Sequence, residues 1–411
     1  MIWKRFSLRR LVLMLLSLLL ALQGLIIAVL AAMAEVRKRR APPANFPHVP
    51  EQASTVDNNE VSIFVYGQDL YTAMLEAIDS AQHTIYFETF IWKGDQLGQA
   101  FKEHLERKAA EGVRVHAIYD GFANLVVPPS FKRFAPQMHV LEYRTLERPR
   151  HLLDPRRYAR DHRKLLIVDE QIAFIGGFNI GQLYATEWRD THVRLCGPAA
   201  REFAYAFVNF WNTNRGTYAA LDAPSERPWP QSITVHRNEP ERLLFPIRGM
   251  FLDAIDRAQR SIYLTNAYFI PDRAVLQALI AAAHRGVDVR VLLPWQSNHV
   301  TADWLARGFF TACLKGGVRL FTYQNAMIHA KTATIDGLWS TIGTANLDRL
   351  SLAGNYEVNV EIRDRAVAKE MERIYMLDLS NAKELTLAEW ERRPWYSRAG
   401  ELILSPLWPL L

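Results

Sequence analysis

Cysteine is scarce in this chain of 411 residues, where it occurs only as Cys196 and Cys313. Two cysteines are too few for a disulfide framework or for a zinc site built from thiolates, and they leave the redox compartment open. The sequence also lacks a G-x-x-x-x-G-K-[ST] loop, so a nucleotide held by a P-loop is not expected. Apolar residues make up 49% of the chain and charged residues 22%, which is typical of a globular protein.

An excess of basic charge is missing from most of the chain, although the formal net charge is +6. Residues 1–40 hold eight Lys or Arg and one acid, whereas the remaining 371 residues hold 41 basic and 42 acidic side chains. Proteins that bind nucleic acid without sequence preference depend on a surplus of positive charge. A nucleic-acid partner is therefore not expected, and a nuclease is disfavoured.

The sequence contains one long hydrophobic run, residues 11–34, which carries no charge. At about 1.5 Å per residue, a helix of this length crosses a hydrocarbon core of roughly 30 Å. Basic clusters lie on both sides, so the positive-inside rule gives no orientation. We expect residues 1–40 to form an uncleaved membrane anchor; a signal peptide ending at Ala32-Met33-Ala34 and a buried helix are the alternatives. Residues 41–58, rich in proline, are predicted to form a linker.

Beyond the linker the chain repeats itself. Residues 77–86 match residues 254–263, and residues 112–115 match residues 286–289. Each copy has the pattern of an amphipathic helix, a buried strand, a second helix, a glycine stop and another strand. This alternation predicts an α/β protein with a substantially parallel sheet. A period of roughly 170 residues is too long for a solenoid, so two similar lobes with a site between them are expected.

Both copies contain the motif H-x-K-x4-D. Its members are His162, Lys164 and Asp169 in the first copy and His329, Lys331 and Asp336 in the second. At equal distances downstream three further positions correspond: Gly177 with Thr344, Asn179 with Asn346, and Asp190 with Glu357. A short pattern alone is weak evidence, but its recurrence at matching points of a duplication is not a coincidence.

This set of side chains suits displacement at a phosphodiester. Residues i and i+2 of a strand share a face, so the His and Lys of each motif project together. One imidazole can attack phosphorus and the other can protonate the leaving oxygen, while ammonium and carboxamide groups hold the remaining oxygens. The downstream carboxylates can orient the rings. A lysine beside each histidine opposes a divalent cation, so neither a metal nor another cofactor is expected.

The doubled motif with its following glycines and asparagines resembles the phospholipase D superfamily over nearly all of residues 60–411. Residues 265–272 (TNAYFIPD), residues 343–351 (GTANLDRLS) and the apolar ending 402–411 resemble bacterial cardiolipin synthases most. The resemblance implies an α/β fold of two similar lobes, each a mixed β-sheet flanked by helices, with the active site between them. It also implies a phosphohistidine intermediate and independence of metal ions. One N-terminal transmembrane helix precedes the lobes here, where many cardiolipin synthases have two.

The same resemblance assigns roles to the residues. It places the nucleophile at His162 and the general acid at His329. The phosphate is expected to be held by side chains of both copies, which are Lys164, Lys331, Asn179, Asn346 and Thr344.

Four acids remain, and the resemblance separates them into two kinds. Asp190 and Glu357 are expected to support the histidines, crosswise between the lobes. Asp169 and Asp336 are counted with the catalytic residues as members of the motif, although we expect them to buttress the strands rather than to touch substrate.

These observations predict a first lobe over residues 59–225 and a second lobe over residues 226–411 with an apolar C-terminal tail. The predicted function is a phosphatidyltransferase of the bacterial inner (plasma) membrane that forms cardiolipin, with phosphatidylglycerol as donor and acceptor. With water as the acceptor, the same residues would give a phospholipase D-type hydrolase. A catalytically dead interaction module is disfavoured, because both His–Lys pairs are intact.

Overall fold

The computed structural model describes residues 8–40, 43–145, 154, 158–224, 229 and 231–410. Its helices are α1 (Leu8–Arg40), α2 (Gly67–Ser80), α3 (Gln96–Ala110), α4 (Gln182–Thr186), α5 (Ala200–Asn214), α6 (Pro246–Arg257), α7 (Arg273–His284), α8 (Val300–Lys315), α9 (Arg349–Ala353), α10 (Arg365–Leu379), α11 (Leu387–Glu391) and α12 (Trp395–Leu404). They flank two sheets, as the resemblance implies, and the predicted fold class is confirmed.

The strands of the first half are β1 (Ala53–Val56), β2 (Asn59–Phe64), β3 (Thr84–Thr89), β4 (Arg114–Asp120), β5 (His139–Tyr143), β6 (Leu165–Val168), β7 (Ile172–Gly176), β8 (Trp188–Arg189) and β9 (His192–Cys196). All except β8 form one sheet with the order β1-β2-β9-β7-β6-β3-β4-β5. Because β1 belongs to this sheet, the first lobe begins inside the predicted linker 41–58. The predicted boundary between residues 225 and 226 lies outside the described residues.

The strands of the second half are β10 (Ile233–Arg237), β11 (Ser261–Asn266), β12 (Asp288–Pro294), β13 (Arg319–Tyr323), β14 (Met327–Ile328), β15 (Lys331–Ile335), β16 (Trp339–Gly343), β17 (Val358–Arg363) and β18 (Ala382–Leu385). All except β14 form the second sheet, with the order β10-β17-β16-β15-β11-β12-β13-β18. The order β9-β7-β6-β3-β4-β5 of the first sheet recurs as β17-β16-β15-β11-β12-β13, so the duplication seen in the sequence is a duplication of topology.

Each sheet is mixed rather than substantially parallel. Strands β3, β4 and β5 are parallel, as are β11, β12 and β13. Helices α3, α7 and α8 form three of the four connections, and an irregular segment of turns connects β4 to β5. The hairpins that carry the motifs, β6–β7 and β15–β16, are antiparallel to their neighbours. The expectation of a largely parallel sheet therefore holds only for three strands of each lobe.

Equivalent helices of the two lobes begin and end in the same way. The carboxylate of Asp95 caps α3 and that of Asp272 caps α7, each accepting from backbone N–H groups of the first turn. Both helices end at a glycine with positive φ, 96° at Gly112 and 91° at Gly286, which a side chain would disfavour. The predicted stop signals are confirmed in both copies.

The two lobes share one apolar core. Ile175 and Val193 of the first sheet belong to the same fully buried cluster as Ile342, Val358 and Val360 of the second. Helices α5 and α10 add further side chains to this cluster. The cleft between the lobes is therefore built on a continuous packed interior, in which side chains hold fixed positions.

Helix α1 is the one helix within the described ranges that is long and apolar enough to cross a membrane. The span Arg10–Arg37 has a mean hydropathy of 2.7, and only 6% of its most apolar part is buried. One face nevertheless contacts the second lobe, where the Gln23 amide donates to the carbonyl oxygen of Ile403 (2.8 Å). The C-terminal tail packs on the same lobe, since the ring of Trp408 lies 5.0 Å from that of Phe309 in α8.

Candidate active site

Each motif lies where the chain enters a β-hairpin, so that the His and Lys stand at one end of the strand and the Asp at the other. The hairpin turns have two successive residues with positive φ, Asp169 and Glu170 (49° and 56°) in the first lobe and Asp336 and Gly337 (56° and 61°) in the second. Turns of this kind favour Asp and Gly, which tolerate a left-handed backbone. The spacing between His and Asp in the motif is thus the length of one short strand.

The two motif aspartates bind backbone amides rather than facing the cleft. Each carboxylate accepts three N–H groups at 2.7–2.8 Å, those of Gln82, His83 and Thr84 at Asp169 and those of Gln259, Arg260 and Ser261 at Asp336. These hydrogen bonds connect each hairpin turn to the start of the neighbouring strand, β3 in the first lobe and β11 in the second. The assignment of Asp169 and Asp336 to the catalytic residues is therefore wrong, whereas the contacts agree with a buttressing role.

Backbone hydrogen bonds between the lobes place the two histidines. The N–H of His162 donates to the carbonyl of Tyr356 (3.0 Å), and the N–H of His329 donates to the carbonyl of Arg189 (2.6 Å). Short bridges extend these contacts, since β14 pairs with β8 and Asp161 bridges to Tyr356. Each histidine is thereby held next to the residue that precedes the acid of the other lobe.

The acids consequently pair crosswise with the histidines. His162 Nδ1 lies 3.0 Å from both carboxylate oxygens of Glu357, and His329 Nδ1 lies 2.6 Å from Asp190 Oδ2. Both acids are almost fully buried. Asp190, whose pKa is lowered, is ionised and accepts a hydrogen bond, so Nδ1 of His329 carries the proton and Nε2 keeps its lone pair. The same arrangement holds at His162 when Glu357 is ionised. Neither motif histidine is paired with an acid of its own lobe.

The corresponding positions Gly177 and Thr344 serve these acids differently. At Gly177 a β-carbon would overlap the carboxylate of Asp190, so glycine makes room for this shorter acid. Thr344 Oγ1 donates to Glu357 Oε2 (2.5 Å) and accepts from the N–H of Val358 (3.0 Å). The fully buried Thr344 hydroxyl is engaged by these contacts and orients Glu357. Its expected part in binding phosphate stays a prediction.

Both motif lysines are buried at the site. Lys164 is 2% exposed and Lys331 is 1% exposed, and the ammonium group of each donates to the backbone carbonyl of its own motif histidine. Of the two asparagines, Asn179 accepts the N–H of Ile91 through Oδ1 (3.2 Å), while Oδ1 of Asn346 is buried without a partner among the described residues. Two cations therefore contact the motif histidines.

Burial and mutual repulsion lower the affinity of the free site for protons. Burial lowers the pKa of Lys164 to about 7 and that of Lys331 to about 8. Burial, together with the ammonium group of Lys331 at 3.0 Å from Nδ1, lowers the pKa of His329 to about 3. The pKa of His162 is lowered well below its ordinary value, by burial and then by both lysines. A bound anion would relieve this repulsion and raise all four pKa values.

The two supporting acids differ in charge. Burial would raise the pKa of Asp190, but Lys331 and His329 together hold it below its ordinary value. Burial raises the pKa of Glu357 to about 8, in spite of the nearby Lys164. At neutral pH the pair of His329 and Asp190 thus carries more negative charge than the pair of His162 and Glu357. The negative charge of Asp190 therefore stabilises an imidazolium at His329 better than Glu357 does at His162.

Aromatic side chains that the motif does not include also touch the histidines. The Phe90 ring packs edge-on at 4.8 Å against His162, and the Trp188 ring lies 5.1 Å from His329. Trp188 stands two residues before Asp190, so it reaches His329 by the same crosswise route. A buried bidentate ion pair from Arg189 to Asp378 of α10 fixes this segment to the second lobe. Only the aromatic character of these positions, without their partners, was visible in the sequence.

Comparison with known proteins places these features in a family. A family model described as "Cardiolipin synthase, PLD-like domain" matches residues 74–211 and 251–378. The cardiolipin synthase of Clostridium perfringens is 30% identical over 386 residues, which cover 88% of this chain and 79% of that protein. The cardiolipin synthase of Listeria monocytogenes is 32% identical over 374 residues, with 88% and 78% covered. The resemblance predicted from the motifs is confirmed.

Among solved structures, phosphatidylserine synthase from Haemophilus influenzae matches with a TM-score of 0.63 over 88% of this chain and 95% of that chain. The identity is 14%, so this likeness concerns the fold alone. The family match covers both copies of the motif and both lobes. The chain therefore belongs to the family of phospholipase D-like cardiolipin synthases and is an enzyme of the phospholipase D superfamily.

Proposed function

We propose that this protein transfers a phosphatidyl group from one phosphatidylglycerol molecule to a hydroxyl group of a second, forming cardiolipin and glycerol. The observation that carries the proposal is the pair of crosswise His–acid contacts beside two buried lysines. The relatives named cardiolipin synthase support the lipid class. One phosphodiester replaces another, so the net free-energy change is small and no nucleotide is needed.

In the proposed first step, Nε2 of His162 attacks phosphorus and the bond from phosphorus to the glycerol oxygen breaks. His329 gives that oxygen a proton, and the ionised Asp190 stabilises the imidazolium before transfer. The phosphodiester itself, as an anion, raises the low pKa of His329 when it binds. Lys164, Lys331, Asn179 and Asn346 are proposed to hold the phosphoryl oxygens.

In the proposed second step, the acceptor hydroxyl gives its proton to His329 and attacks phosphorus, while the bond from phosphorus to His162 breaks. This step must prefer a lipid alcohol to water. His162 is nearly buried, with 12% of its side chain exposed, and the aromatic rings of Phe90 and Trp188 line the two histidines. A covered site of this kind favours an alcohol that is bound and oriented over free water.

Helix α1 is proposed to anchor the protein in the bacterial inner membrane and to keep the cleft at the lipid surface. Its length and composition suit a membrane span, and its exposed apolar side chains have no other cover among the described residues. An apolar surface of this extent is not expected to face water.

The proposal is tested by expressing the protein in a bacterium that makes no cardiolipin and resolving its lipids by mass, with H162A as the inactive control. Cardiolipin in the wild type and none in the control is the expected result. Phosphatidic acid without cardiolipin would indicate a phospholipase D-type hydrolase instead. Unchanged lipids in the presence of folded, membrane-bound protein would refute both functions.

A further inference from the structure

A cavity of about 140 Å³ adjoins the active site, between α1, α8 and the segments that follow β11 and β12. By this measure it has room for about ten water molecules. Tyr268 forms the wall between the cavity and the active site, because its ring lines the cavity and lies 6.3 Å from the ring of His329. The cavity is therefore on the side of the histidine that exchanges protons with the leaving and attacking oxygens.

One cation of this cavity has no carboxylate of the described residues within ion-pair distance. The guanidinium group of Arg307 in α8 lies 4.8 Å from the ring of Trp304 and 5.7 Å from that of Trp390, and no carboxylate of the described residues is within 4.0 Å of it. Of the two acids nearby, Glu401 is paired with Arg393, and Asp303 accepts the N–H of Ser297 and has a raised pKa. Arginine remains charged in such a setting, and a partly buried charge is costly unless an anion meets it. A mobile anion would complete the site.

Helix α1 supplies the outer wall and fixes the level of the cavity relative to a bilayer. Leu30, Met33 and Arg37 of this helix line the cavity. Arg37 stands three residues after the uncharged run 11–34 and ends the apolar span, which is where arginines meet lipid headgroups in a spanning helix. Tryptophans such as Trp295 and Trp304, which also line it, are typical of the same level. Leu30 and Met33 lie deeper, on the side of the acyl chains.

We propose that this cavity binds the headgroup phosphate of the acceptor phospholipid, with Arg307 and Arg37 as its cationic partners and the acyl chains along α1. This assignment rests on the proposed function and names the site of its second substrate. The acceptor keeps its own phosphate, which the glycerol carbons separate from the attacking hydroxyl. That phosphate needs a cationic site next to His329 but apart from the two lysines.

A single carboxylate, that of Asp303, lines the cavity among the described residues. Its Oδ2 accepts the N–H of Ser297 (2.9 Å), and burial raises its pKa to about 6. A site that combines arginines with one hydrogen-bonding acid suits a headgroup that combines a phosphate with free hydroxyl groups, as phosphatidylglycerol does.

The proposal is tested with a donor lipid that carries no headgroup hydroxyl, phosphatidyl-p-nitrophenol, and two alternative acceptors, phosphatidylglycerol and glycerol. Full-length wild type, R307Q and R37Q are compared in mixed micelles, with K315Q as the control. Lys315 lies on the same helix as Arg307, is exposed and pairs with Glu391, so K315Q removes an equal charge away from the cavity. Initial rates of cardiolipin and phosphatidylglycerol formation are followed by mass.

We expect R307Q to raise the KM for phosphatidylglycerol by about tenfold to a hundredfold, the range for loss of a hydrogen bond to a charged group. The rate with glycerol, which has no phosphate, should stay within about twofold of wild type, and K315Q should change neither. R37Q, on an exposed part of α1 where folding of the lobe is not at stake, should show the same selectivity with a smaller increase.

Equal effects of R307Q and R37Q on the two acceptors would overturn the assignment of the cavity. That outcome differs from failure of the proposed function, in which the wild type itself would release nitrophenol and form no cardiolipin from phosphatidylglycerol.

Discussion

Replacing Asp190 with asparagine separates the roles of the two histidines. Asp190 Oδ2 lies 2.6 Å from His329 Nδ1, and Oδ1 accepts the N–H of Thr191 at 2.7 Å. Asparagine has nearly the same volume and can keep the bond to Thr191, but it is uncharged and its amide can donate to Nδ1. His329 then holds its proton on Nε2 as a neutral imidazole, which is too weak an acid to protonate an alkoxide.

The expected loss of rate in D190N follows from the hydrogen bond between His329 and a charged carboxylate, which the substitution removes. A hydrogen bond to a charged group contributes about 1.5–3 kcal/mol, which corresponds to roughly 10- to 150-fold in rate. The unfavourable tautomer adds to this, and the comparable change in a serine protease triad costs about 10,000-fold. For D190N we expect glycerol release from phosphatidylglycerol to slow by about 100- to 10,000-fold.

The assay compares two donors that differ only in the leaving group. Glycerol needs a proton to depart and nitrophenolate does not, so single-turnover release of nitrophenol by D190N should stay within about tenfold of wild type. E357Q is the matched variant, since Glu357 supports His162, and its smaller loss should be equal for the two donors. An equal loss on both donors in D190N would refute His329 as the acid, and donor dependence in E357Q alone would reverse the roles.

Further predictions concern the intermediate, pH, metals and the anchor. H162A should lower turnover at least about a thousandfold. In H329A with the nitrophenyl donor, an acid-labile phosphoramidate should be trapped on His162. An adduct on another residue would contradict His162 as the nucleophile. The pKa values of Lys164 and Lys331 are about 7 and 8, and an ammonium group loses its charge above its pKa. Inhibition by diethyl phosphate should therefore weaken at least about tenfold from pH 6.5 to 9. An inhibition constant that does not change with pH would contradict phosphate binding by the two lysines. Activity should persist in excess chelator, because the lysines supply the positive charge that a metal supplies elsewhere; loss restored by a divalent ion at equal ionic strength would refute this. A chain that starts at residue 41 should remain active on detergent-dispersed lipid and lose most activity on vesicles, and equal activity on vesicles would argue against anchoring by α1.

Local features of the fold could be predicted because they depend on short stretches of sequence. The apolar face of residues 70–81 predicts α2, and the β-branched run from Thr84 predicts β3. Glycines at equivalent positions predicted the ends of α3 and α7. The duplication then extended each prediction to the second lobe, so the existence of two similar halves needed no structural information.

Contacts between distant segments could not be predicted in the same way. The separation of 195 residues between His162 and Glu357 leaves no periodic signal, and the crosswise pairing came from resemblance rather than from spacing. The contact of the Thr344 hydroxyl with Glu357, an acid 13 residues away across neighbouring strands, was not predicted for the same reason. The mixed character of the sheets was also hidden, since the direction of a strand depends on pairing and not on composition.

The crosswise contacts also determine when the enzyme becomes active during its synthesis. His162 is made 195 residues before Glu357, and Asp190 is made 139 residues before His329. At about 5–20 residues per second the ribosome needs roughly 10 to 40 seconds to cover the longer interval. For most of that time the nascent first lobe has His162 without its acid, one lysine of two and no His329, which is made only 28 residues before Glu357. If α1 is the membrane anchor proposed above, a partly made chain held at a bilayer cannot cleave the lipids around it.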